Sequence, residues 1–425
     1  MKKLLAILLA AVMLLSVAAF AEGQTEITLW TYPIGSWGNA EVVDGIVANF
    51  NKVHPEITVK VEYLDYTNGD KQVAAAIEAG TMPDIIMEGP ERLVANWGAN
   101  GKMLDLSDLW TEEAKADIIA AAPAVEAACR NAKGVYYEYP LCMTTHCMVI
   151  NKTDFEAANA LQYLNEETRT WTTEGFINAL KALKEAGFAP TMTVYCGGQG
   201  GDQGTRALVT NLYSAQFTAA DHSAYTIDSE AGIKGIQTLV DLFNEEIIDA
   251  GLDIVASDEI ALFCNSTTSM SICWNASAAL SNKANFAEDV VPLPMAFPSD
   301  DGVPELQGGI WGFGLFDTGN EAKVAAAKEF VRFVCDDPEQ VKESVYASGF
   351  FPVKASVGDV YAGTEKEGNA EFAVFMPYLG DYYQVTGGWA QQRTEWWNML
   401  QRVFLGGDVA TEVGVYVTNS NAGIQ

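Results

Sequence analysis

Histidine, arginine and positive charge in general are scarce in this chain of 425 residues. It holds three histidines and seven arginines, and 25 basic residues stand against 56 acidic ones, for a formal net charge of −31. Phosphate recognition needs a clustered basic surface, so the composition argues against nucleic acid as a partner. The same negative field disfavours anionic membrane surfaces.

Motifs that mark common catalytic and cofactor sites are also missing. No H-E-x-x-H, G-x-S-x-G or D-x-D-x-D-G occurs, which argues against a zinc enzyme, a serine hydrolase of that kind and a calcium loop. The glycine-rich stretch Tyr195–Leu212 has Gln203 where a dinucleotide loop needs glycine, and no Lys-Ser or Lys-Thr follows. We therefore interpret this stretch as a permissive loop that could line a pocket for a neutral ligand, and we expect no cofactor and no metal.

Long apolar runs are confined to the first residues. Lys2 and Lys3 precede the apolar run Leu4–Leu15, and Ala19-Phe20-Ala21 has the small-residue pattern of a cleavage site. Residues 1–21 are therefore predicted to be a secretory signal peptide, so that the mature chain begins at Glu22. No cysteine near that point suggests a lipid anchor, and we expect a soluble protein in the periplasm or at the extracellular cell surface.

Cysteine is present but unpatterned. Seven cysteines occur without a C-x-x-C motif, and an odd number in an exported protein leaves at least one unpaired. Cys142, Cys147 and Cys273 lie in apolar runs, where cysteine acts as a small hydrophobic residue. A disulfide between Cys264 and Cys273 remains an open alternative.

Strand and helix patterns alternate along the chain. The segment 40–55 carries Val43, Ile46 and Phe50 at helical spacing and stops at Pro55, and residues 57–64 then alternate as a strand does. Such alternation predicts an α/β fold with mostly parallel sheet, in which ligands bind at the carboxyl ends of strands. About 400 residues exceed one ordinary core, so at least two domains are expected.

Two long extended runs suggest where the chain passes between these domains. They lie at Tyr139–Thr145 and at Trp274–Ala278. The resulting division is 22–139 with 277–340 for the first lobe, and 140–276 with 341–425 for the second.

Large aromatic residues recur beside polar ones just past predicted strands or on one helix face. A sugar ring has an apolar C–H face and a rim of hydroxyls, so a site for it needs flat rings together with amide, carboxylate or guanidinium groups. Trp389, Arg393 and Trp396 stand at i, i+4 and i+7, on one face of a helix. Any single aromatic has about even odds of being a core residue instead.

In its motifs the chain resembles the carbohydrate-binding, maltose-binding-like group of extracellular solute-binding proteins of ABC importers. The resemblance covers nearly the whole mature chain, and its more specific elements are "AGTMPDII" and "INKTDF". Weaker ones are "ITLWTY", "GGIWGFGLF", "AAKEFVRFVCDDPEQ" and "ASGFFPV". It implies an α/β fold of two lobes, the periplasmic-binding-protein fold, with a multi-stranded hinge and a ligand cleft between the lobes.

The resemblance also implies roles for particular residues. Glu88, with Glu91 and Arg92 just beyond it, occupies the place of ligand contacts after the "PDII" strand. Trp274 occupies that of a sugar-stacking aromatic, as does Trp396 or its neighbour Trp397. Together with the aromatic pattern, the candidate ligand-contacting residues are Tyr32, Trp37, Glu88, Glu91, Arg92, Trp274, Asn275, Trp311, Trp389, Arg393 and Trp396.

The implied function is capture of a mono- or oligosaccharide and its delivery to the permease subunits of an ABC importer, by a monomer that performs no chemistry. Two alternatives stay open at this stage. A secreted glycoside hydrolase would use a pair of carboxylates that meet only in space, and a binding protein for a phosphorylated polyol would need more cationic groups than seven arginines readily supply.

Overall fold

The computed structural model describes residues 24–65, 68–198 and 203–424. The predicted signal peptide lies outside the described residues, as do residues 199–202 of the glycine-rich stretch. The strands are β1 (Thr25–Thr31), β2 (Ile57–Tyr63), β3 (Ile85–Glu88), β4 (Tyr139–Thr145), β5 (Cys147–Asn151), β6 (Thr193–Tyr195), β7 (Asp249–Gly251), β8 (Met270–Trp274), β9 (Pro292–Met295), β10 (Gly308–Leu315) and β11 (Phe351–Pro352).

The α-helices connect and cover these strands. They are α1 (Ala40–Val53), α2 (Gly69–Ala79), the single turn α3 (Pro90–Arg92), α4 (Glu112–Ala121), α5 (Pro123–Ala128), α6 (Lys152–Ala157), α7 (Thr173–Glu185), α8 (Gln203–Leu212), α9 (Glu230–Asn244), α10 (Ala256–Cys264), α11 (Ala276–Asn282), α12 (Glu321–Asp336), α13 (Gln340–Ser348), α14 (Trp389–Phe404) and α15 (Val409–Asn421). Of the helices among these residues, none is both long and apolar enough to cross a bilayer.

The first lobe is built on a six-stranded sheet in the order β11-β4-β10-β3-β1-β2. Strands β1, β2 and β3 run parallel, and β10 runs antiparallel to β3 and β4. Helix α1 buries the stripe Val43, Ile46, Val47 and Phe50, as its spacing predicts, and α12 covers β1 and β4. Because β1 and β3 are parallel neighbours, the loops that follow them meet at one edge of the sheet.

The second lobe is built on a smaller sheet in which β5 lies between β8 and β9. Both neighbours pair with β5 in the antiparallel direction, and a separate parallel pair is formed by β6 and β7. Helices α8 and α10 pack against β8. The expected architecture of two α/β lobes is therefore confirmed.

Three segments join the lobes, of which the sequence located one. Strand β4 leads to β5 through His146 alone, next to the predicted crossing. The crossing predicted at 274–278 is wrong, because β8 runs directly into α11 and the chain returns to the second sheet as β9. Residues 296–307 then cross to β10, and a third crossing runs through 367–388.

The strand β9 escaped the sequence analysis because Pro292 and Pro294 obscure its pattern. Proline is tolerated there since β9 is an edge strand, where one side of the backbone lacks a partner strand. Pairing of β9 with β5 and of β11 with β4 places residues 292–295 with the second lobe and 351–352 with the first, the reverse of the predicted division. All seven cysteines are buried and none forms a disulfide, so the alternative of a Cys264–Cys273 bridge is not realised.

Candidate functional site

A polar cavity of about 580 Å³ lies between the two lobes. Ligand sites in proteins commonly enclose roughly 300 to 1,000 Å³, so this space suits a small carbohydrate. Its lining residues are Asp70, Glu91, Arg92, Ala95, Asn96, Gln203, Gln384, Thr386, Gly387, Gly388, Trp389, Ala390, Gln391 and Arg393. The first five come from the first lobe, and the others come from α8, the third crossing and the start of α14.

An ion-pair network forms the first-lobe wall at the ends of β1 and β3. Arg92 donates from Nε to Asp70 Oδ1 at 2.7 Å and from Nη2 to Asp70 Oδ2 at 3.1 Å. Tyr32 donates its hydroxyl to Asp70 Oδ1 at 2.6 Å, and the Arg92 guanidinium stands 5.1 Å from the centre of its ring. A bidentate pair of this kind fixes both side chains.

A glycine lets these residues approach each other. A Cβ on Gly69 would lie 2.7 Å from Cε1 of Tyr32, closer than side chains can come. Helix α2 therefore begins directly against the tyrosine ring, and Asp70 follows as the hydroxyl's partner. Burial works against ionisation of Asp70, but the bonds from Arg92 outweigh it and lower the pKa of this carboxyl.

Glu88 lies beneath this network with only 1% of its side chain exposed. Arg92 Nη1 donates to Glu88 Oε1 at 3.2 Å, and the backbone N–H of Gly89 donates to Oε2. Burial raises the pKa of Glu88 to about 8, although Arg92 acts in the opposite direction. Both of its oxygens are engaged and it does not line the cavity, so Glu88 supports the wall.

Glu91 connects the first-lobe wall to the third crossing. Tyr382, itself buried, donates its hydroxyl to Glu91 Oε2 at 3.0 Å. Below them is Glu138, which is fully buried and whose two carboxyl oxygens have no hydrogen-bond partner among the described residues. Burial, with Glu91 and Glu88 nearby, raises the pKa of Glu138 well above its ordinary value.

The second-lobe wall has a different chemistry. Trp389 is partly exposed at the start of α14 and lines the cavity with Arg393, one turn further along the helix. Gly388 before it has φ 69°, and a Cβ there would lie 2.8 Å from the backbone of Gly423. Glycine is therefore required at the point where the chain turns to present the indole.

Three side chains of this wall carry oxygens with no hydrogen-bond partner among the described residues. They are Oε1 of Gln203, Oε1 of Gln384 and Oγ1 of Thr386. Burying such an acceptor without a partner costs about 1 to 3 kcal/mol. All three residues line the cavity, and the oxygens themselves are covered by protein atoms in this conformation.

Three of the predicted aromatic contacts are core residues instead. Trp37, Trp274 and Trp396 are at most 1% exposed. Trp37 packs edge-on against Phe313, with ring centres 5.5 Å apart. It does so because it lies in the short 3-10 turn that leads into α1. Trp274 is covered by Phe263 and Phe286 on the side of the sheet where α10 packs.

Trp396 lies on the same helix face as Trp389 but is buried inside the second lobe. Its Nε1 donates to Thr205 Oγ1 at 2.8 Å, and its ring packs on Tyr416 of α15. Seven residues carry the helix about 10 Å along its axis, so the stripe that begins at the cavity with Trp389 ends inside the lobe. Its neighbour Trp397 is buried too.

The remaining candidates also have structural partners. The side-chain oxygen Oδ1 of Asn275 accepts a hydrogen bond from the backbone N–H of Ala278 at 2.8 Å and so caps the N-terminus of α11. Trp311 is stacked on Phe350 with ring centres 4.6 Å apart, and Tyr32 is fully buried under Arg92. None of these three lines the cavity. Of the eleven candidates, the structure brings Glu91, Arg92, Trp389 and Arg393 together around it.

Sequence reasoning missed several residues of the cavity. Asp70 carried no motif, and Gln384 and Thr386 lie in an irregular stretch with no strand or helix pattern. Gln203 gave a usable signal, since it lies within the glycine-rich stretch Tyr195–Leu212, which the sequence suggested could line a pocket. It stands at the start of α8 and lines the cavity.

Comparison with known proteins places the chain among binding proteins. The family model described as bacterial extracellular solute-binding protein matches residues 36–341. No curated protein matches the chain at a significant level.

Solved structures with the same fold include a cyclic alpha-maltosyl-1,6-maltose binding protein from Arthrobacter globiformis, at 17% identity and a TM-score of 0.74, covering 94% of this chain and 99% of that one. The sugar-binding protein MalE from Xanthomonas citri has 15% identity and a TM-score of 0.74, with 94% and 97% covered. The ABC substrate-binding protein Lmo0181 from Listeria monocytogenes, in complex with cycloalternan, has 16% identity and a TM-score of 0.67, with 94% and 98% covered. At these identities the likeness establishes the fold.

Proposed function

This chain belongs to the family of bacterial extracellular solute-binding proteins, and we propose that it captures a neutral carbohydrate in the cavity between its lobes and delivers it to the permease of an ABC importer. The observation that carries the proposal is that one cavity is lined by an indole, Trp389, and by Gln203, Gln384 and Thr386, whose side-chain oxygens have no hydrogen-bond partner among the described residues. A sugar ring presents an apolar face for the indole and hydroxyls for the oxygens. Three of the similar structures are of proteins that bind or contain a saccharide.

The charges around the cavity favour a neutral guest. Arg92 donates from Nε, Nη1 and Nη2 to the carboxyl groups of Asp70 and Glu88, so its hydrogen-bonding capacity is largely committed before any ligand arrives. Glu91 adds negative charge beside it. A phosphorylated polyol would have to compete with carboxylates for Arg92, which leaves Arg393 of the opposite wall as the other cation it could use. The committed Arg92 and the negative Glu91 make it the weaker candidate.

The carboxyl groups also argue for binding without catalysis. A glycoside hydrolase needs two carboxyl groups that face the scissile bond. Both oxygens of Asp70 are held by Arg92, both oxygens of Glu88 are engaged, and Glu88 lies outside the cavity. Glu91 is left as the one acidic group of the cavity wall without a bidentate partner among the described residues.

Closure of the two lobes would complete the site. A ligand can favour a closed form only by its differential affinity for the two states, and here the two walls have different chemistries that one sugar can contact together. The three crossing segments are the hinge on which such a motion would take place. We expect a monomer, located in the periplasm or at the extracellular cell surface.

Isothermal titration calorimetry against maltose, maltotriose, tagatose and cycloalternan tests the proposal. We expect saturable binding of at least one sugar, a smaller radius of gyration in small-angle scattering at saturation, and no new reducing ends on prolonged incubation. ATP and inorganic phosphate serve as negative controls. Binding of phosphate with no response to any sugar would overturn the carbohydrate assignment, and new reducing ends would establish an enzyme instead.

A further inference from the structure

Arg206 is a fully buried cation directly behind the cavity wall. It lies on α8, one turn after Gln203, and none of its side chain is exposed. Its guanidinium carbon stands 4.8 Å from the centre of the Trp389 ring and 5.8 Å from those of Tyr383 and Phe217. Three aromatic side chains therefore surround one guanidinium.

The guanidinium is also fixed in direction. Arg206 Nε donates to the hydroxyl of Tyr383 at 3.2 Å. The centre of the Tyr383 ring lies 4.5 Å from the centre of the Phe217 ring and 5.9 Å from the centre of the Trp389 ring. A planar guanidinium can stack on ring faces while it donates in its own plane, so the bond to Tyr383 restricts how Arg206 can turn against the indole.

Among the described residues, the Trp389 ring contacts the guanidinium of Arg206 and the ring of Tyr383. It is the first residue of α14, it follows a glycine in the left-handed conformation, and it is partly exposed. The loop before it is held at its backbone, where Tyr225 donates to the carbonyl of Gly387 at 2.8 Å. The backbone is thus anchored by Tyr225, and the ring rests on Arg206.

We propose that Arg206 is a positioning residue that sets the angle of the Trp389 ring and thereby the affinity of the second-lobe wall for a sugar it does not touch. Removing the planar guanidinium would leave the helix start in place but free the indole to rotate. A ring with several orientations loses entropy on binding, so affinity falls even though the contact surface remains. The affinity part of this proposal rests on the proposed carbohydrate function, whereas the orientation of the ring does not.

Fluorine NMR of protein labelled with 5-fluorotryptophan tests the orientation without any ligand. The chain has ten tryptophans, and the resonance missing in Trp389→Phe is that of Trp389. Arg206→Lys keeps the charge but loses the planar fork, so it should shift and broaden the Trp389 resonance while that of Trp274 in the same lobe stays. Should Arg206→Lys not fold, Tyr383→Phe removes only the hydroxyl that anchors Nε and should shift the same resonance less.

A matched control is Lys354→Met in the first lobe. Lys354 is another buried cation over an aromatic ring, 5.1 Å from the centre of Tyr139, and it does not line the cavity between the lobes. It should lower stability without moving the Trp389 resonance. An unchanged Trp389 resonance in both Arg206→Lys and Tyr383→Phe would overturn the proposal.

Calorimetry with maltotriose, or the sugar of the panel above that binds most tightly, measures the consequence for binding. Arg206→Lys should weaken affinity about tenfold, which is about 1.4 kcal/mol. In a Trp389→Ala background the same change should have less than about a twofold effect, because there is no ring left to position. An undiminished effect in that background would show that Arg206 acts on the site by another route. If no sugar binds, the carbohydrate assignment fails while the NMR result still decides the role of Arg206.

Discussion

The two walls of the cavity are held in opposite ways. In the first-lobe wall Asp70, Arg92 and Glu88 already satisfy one another through charged hydrogen bonds. In the second-lobe wall Gln384 and Thr386 have buried oxygens without partners among the described residues, and the Trp389 ring rests on a cation behind it. The Asp70–Arg92–Glu88 network of the first wall is thus satisfied without a guest, whereas the oxygens of the second wall are not.

This difference implies that the two walls have different roles in ligand binding. A preorganised wall contributes rigidity, and its carboxyl groups already engage Arg92, which an anionic guest would otherwise use. An incomplete wall contributes affinity, because a guest that supplies hydroxyls and an apolar face removes the cost of buried, unpaired oxygens. We therefore expect substitutions in the first wall to act on stability and substitutions in the second to act on binding.

Arg92→Met should have the largest effect on the first-lobe wall. It leaves the buried Glu88 and the half-exposed Asp70 without their common cation. Breaking a fully buried charged pair costs about 3 to 5 kcal/mol of unfolding free energy, and because water screens the Asp70 side we expect about 3 kcal/mol, the lower end of that range. Urea denaturation measures this loss. Arg332→Met is the control, since Arg332 pairs with Glu329 at 3.0 Å with both side chains nearly half exposed, and it should change stability by less than about 0.5 kcal/mol. A loss below about 1 kcal/mol in Arg92→Met would contradict a first wall held by its ion pairs.

A pair of tryptophan variants tests the assignment of aromatic residues. Trp274→Ala creates a cavity in the core and should cost about 3 to 5 kcal/mol of unfolding free energy, with sugar affinity unchanged in the folded protein. Trp389→Ala should instead weaken sugar binding by about 1 to 3 kcal/mol with a smaller effect on stability, because the ring is partly exposed. Isothermal titration calorimetry of both variants measures which of the two rings contributes to sugar affinity. Equal losses of affinity would mean that the buried Trp274 ring reaches the ligand in another conformation.

The fold was largely readable from the sequence because periodicity reports burial. The stripe of α1, the alternation in β1 and β2 and the continuous apolar run of β3 follow directly from which side chains must leave water. What periodicity cannot report is which sheet a strand joins. The strand β9 has two prolines in four residues, and its pairing with β5 depends on an edge position that only the assembled sheet defines.

The site was less readable, because an aromatic residue after a strand serves the core and a cleft equally well. Trp37 and Trp389 both follow a loop with glycines, yet one packs on Phe313 and the other lines the cavity. The difference lies in what covers them, which is set by β10 in one case and by the gap between lobes in the other. Asp70 was missed for the same reason, since only the approach of α2 to Tyr32 gives it a partner.

Gln384→Met should give the smallest effect, but it should change stability and sugar affinity in opposite directions. The change keeps the length of the side chain but removes the buried oxygen that lacks a partner among the described residues. Without sugar the variant should be more stable by about 0.5 to 1.5 kcal/mol, and its affinity for sugar should fall by a similar amount, because the oxygen costs free energy only until a hydroxyl pairs with it. Thermal denaturation with and without saturating maltotriose, or the tightest-binding sugar of the panel, measures both.

Gln340→Met is the matched control in the first lobe. Gln340 is also buried, but its Oε1 accepts from Asn49 at 3.0 Å and its Nε2 donates to Ser344 at 3.1 Å. Losing satisfied bonds should lower stability and leave affinity unchanged, the opposite of the Gln384 variant in both respects. If Gln384→Met destabilised the free protein as Gln340→Met does, its oxygen would already be paired, and the second wall would be as complete as the first before the sugar arrives.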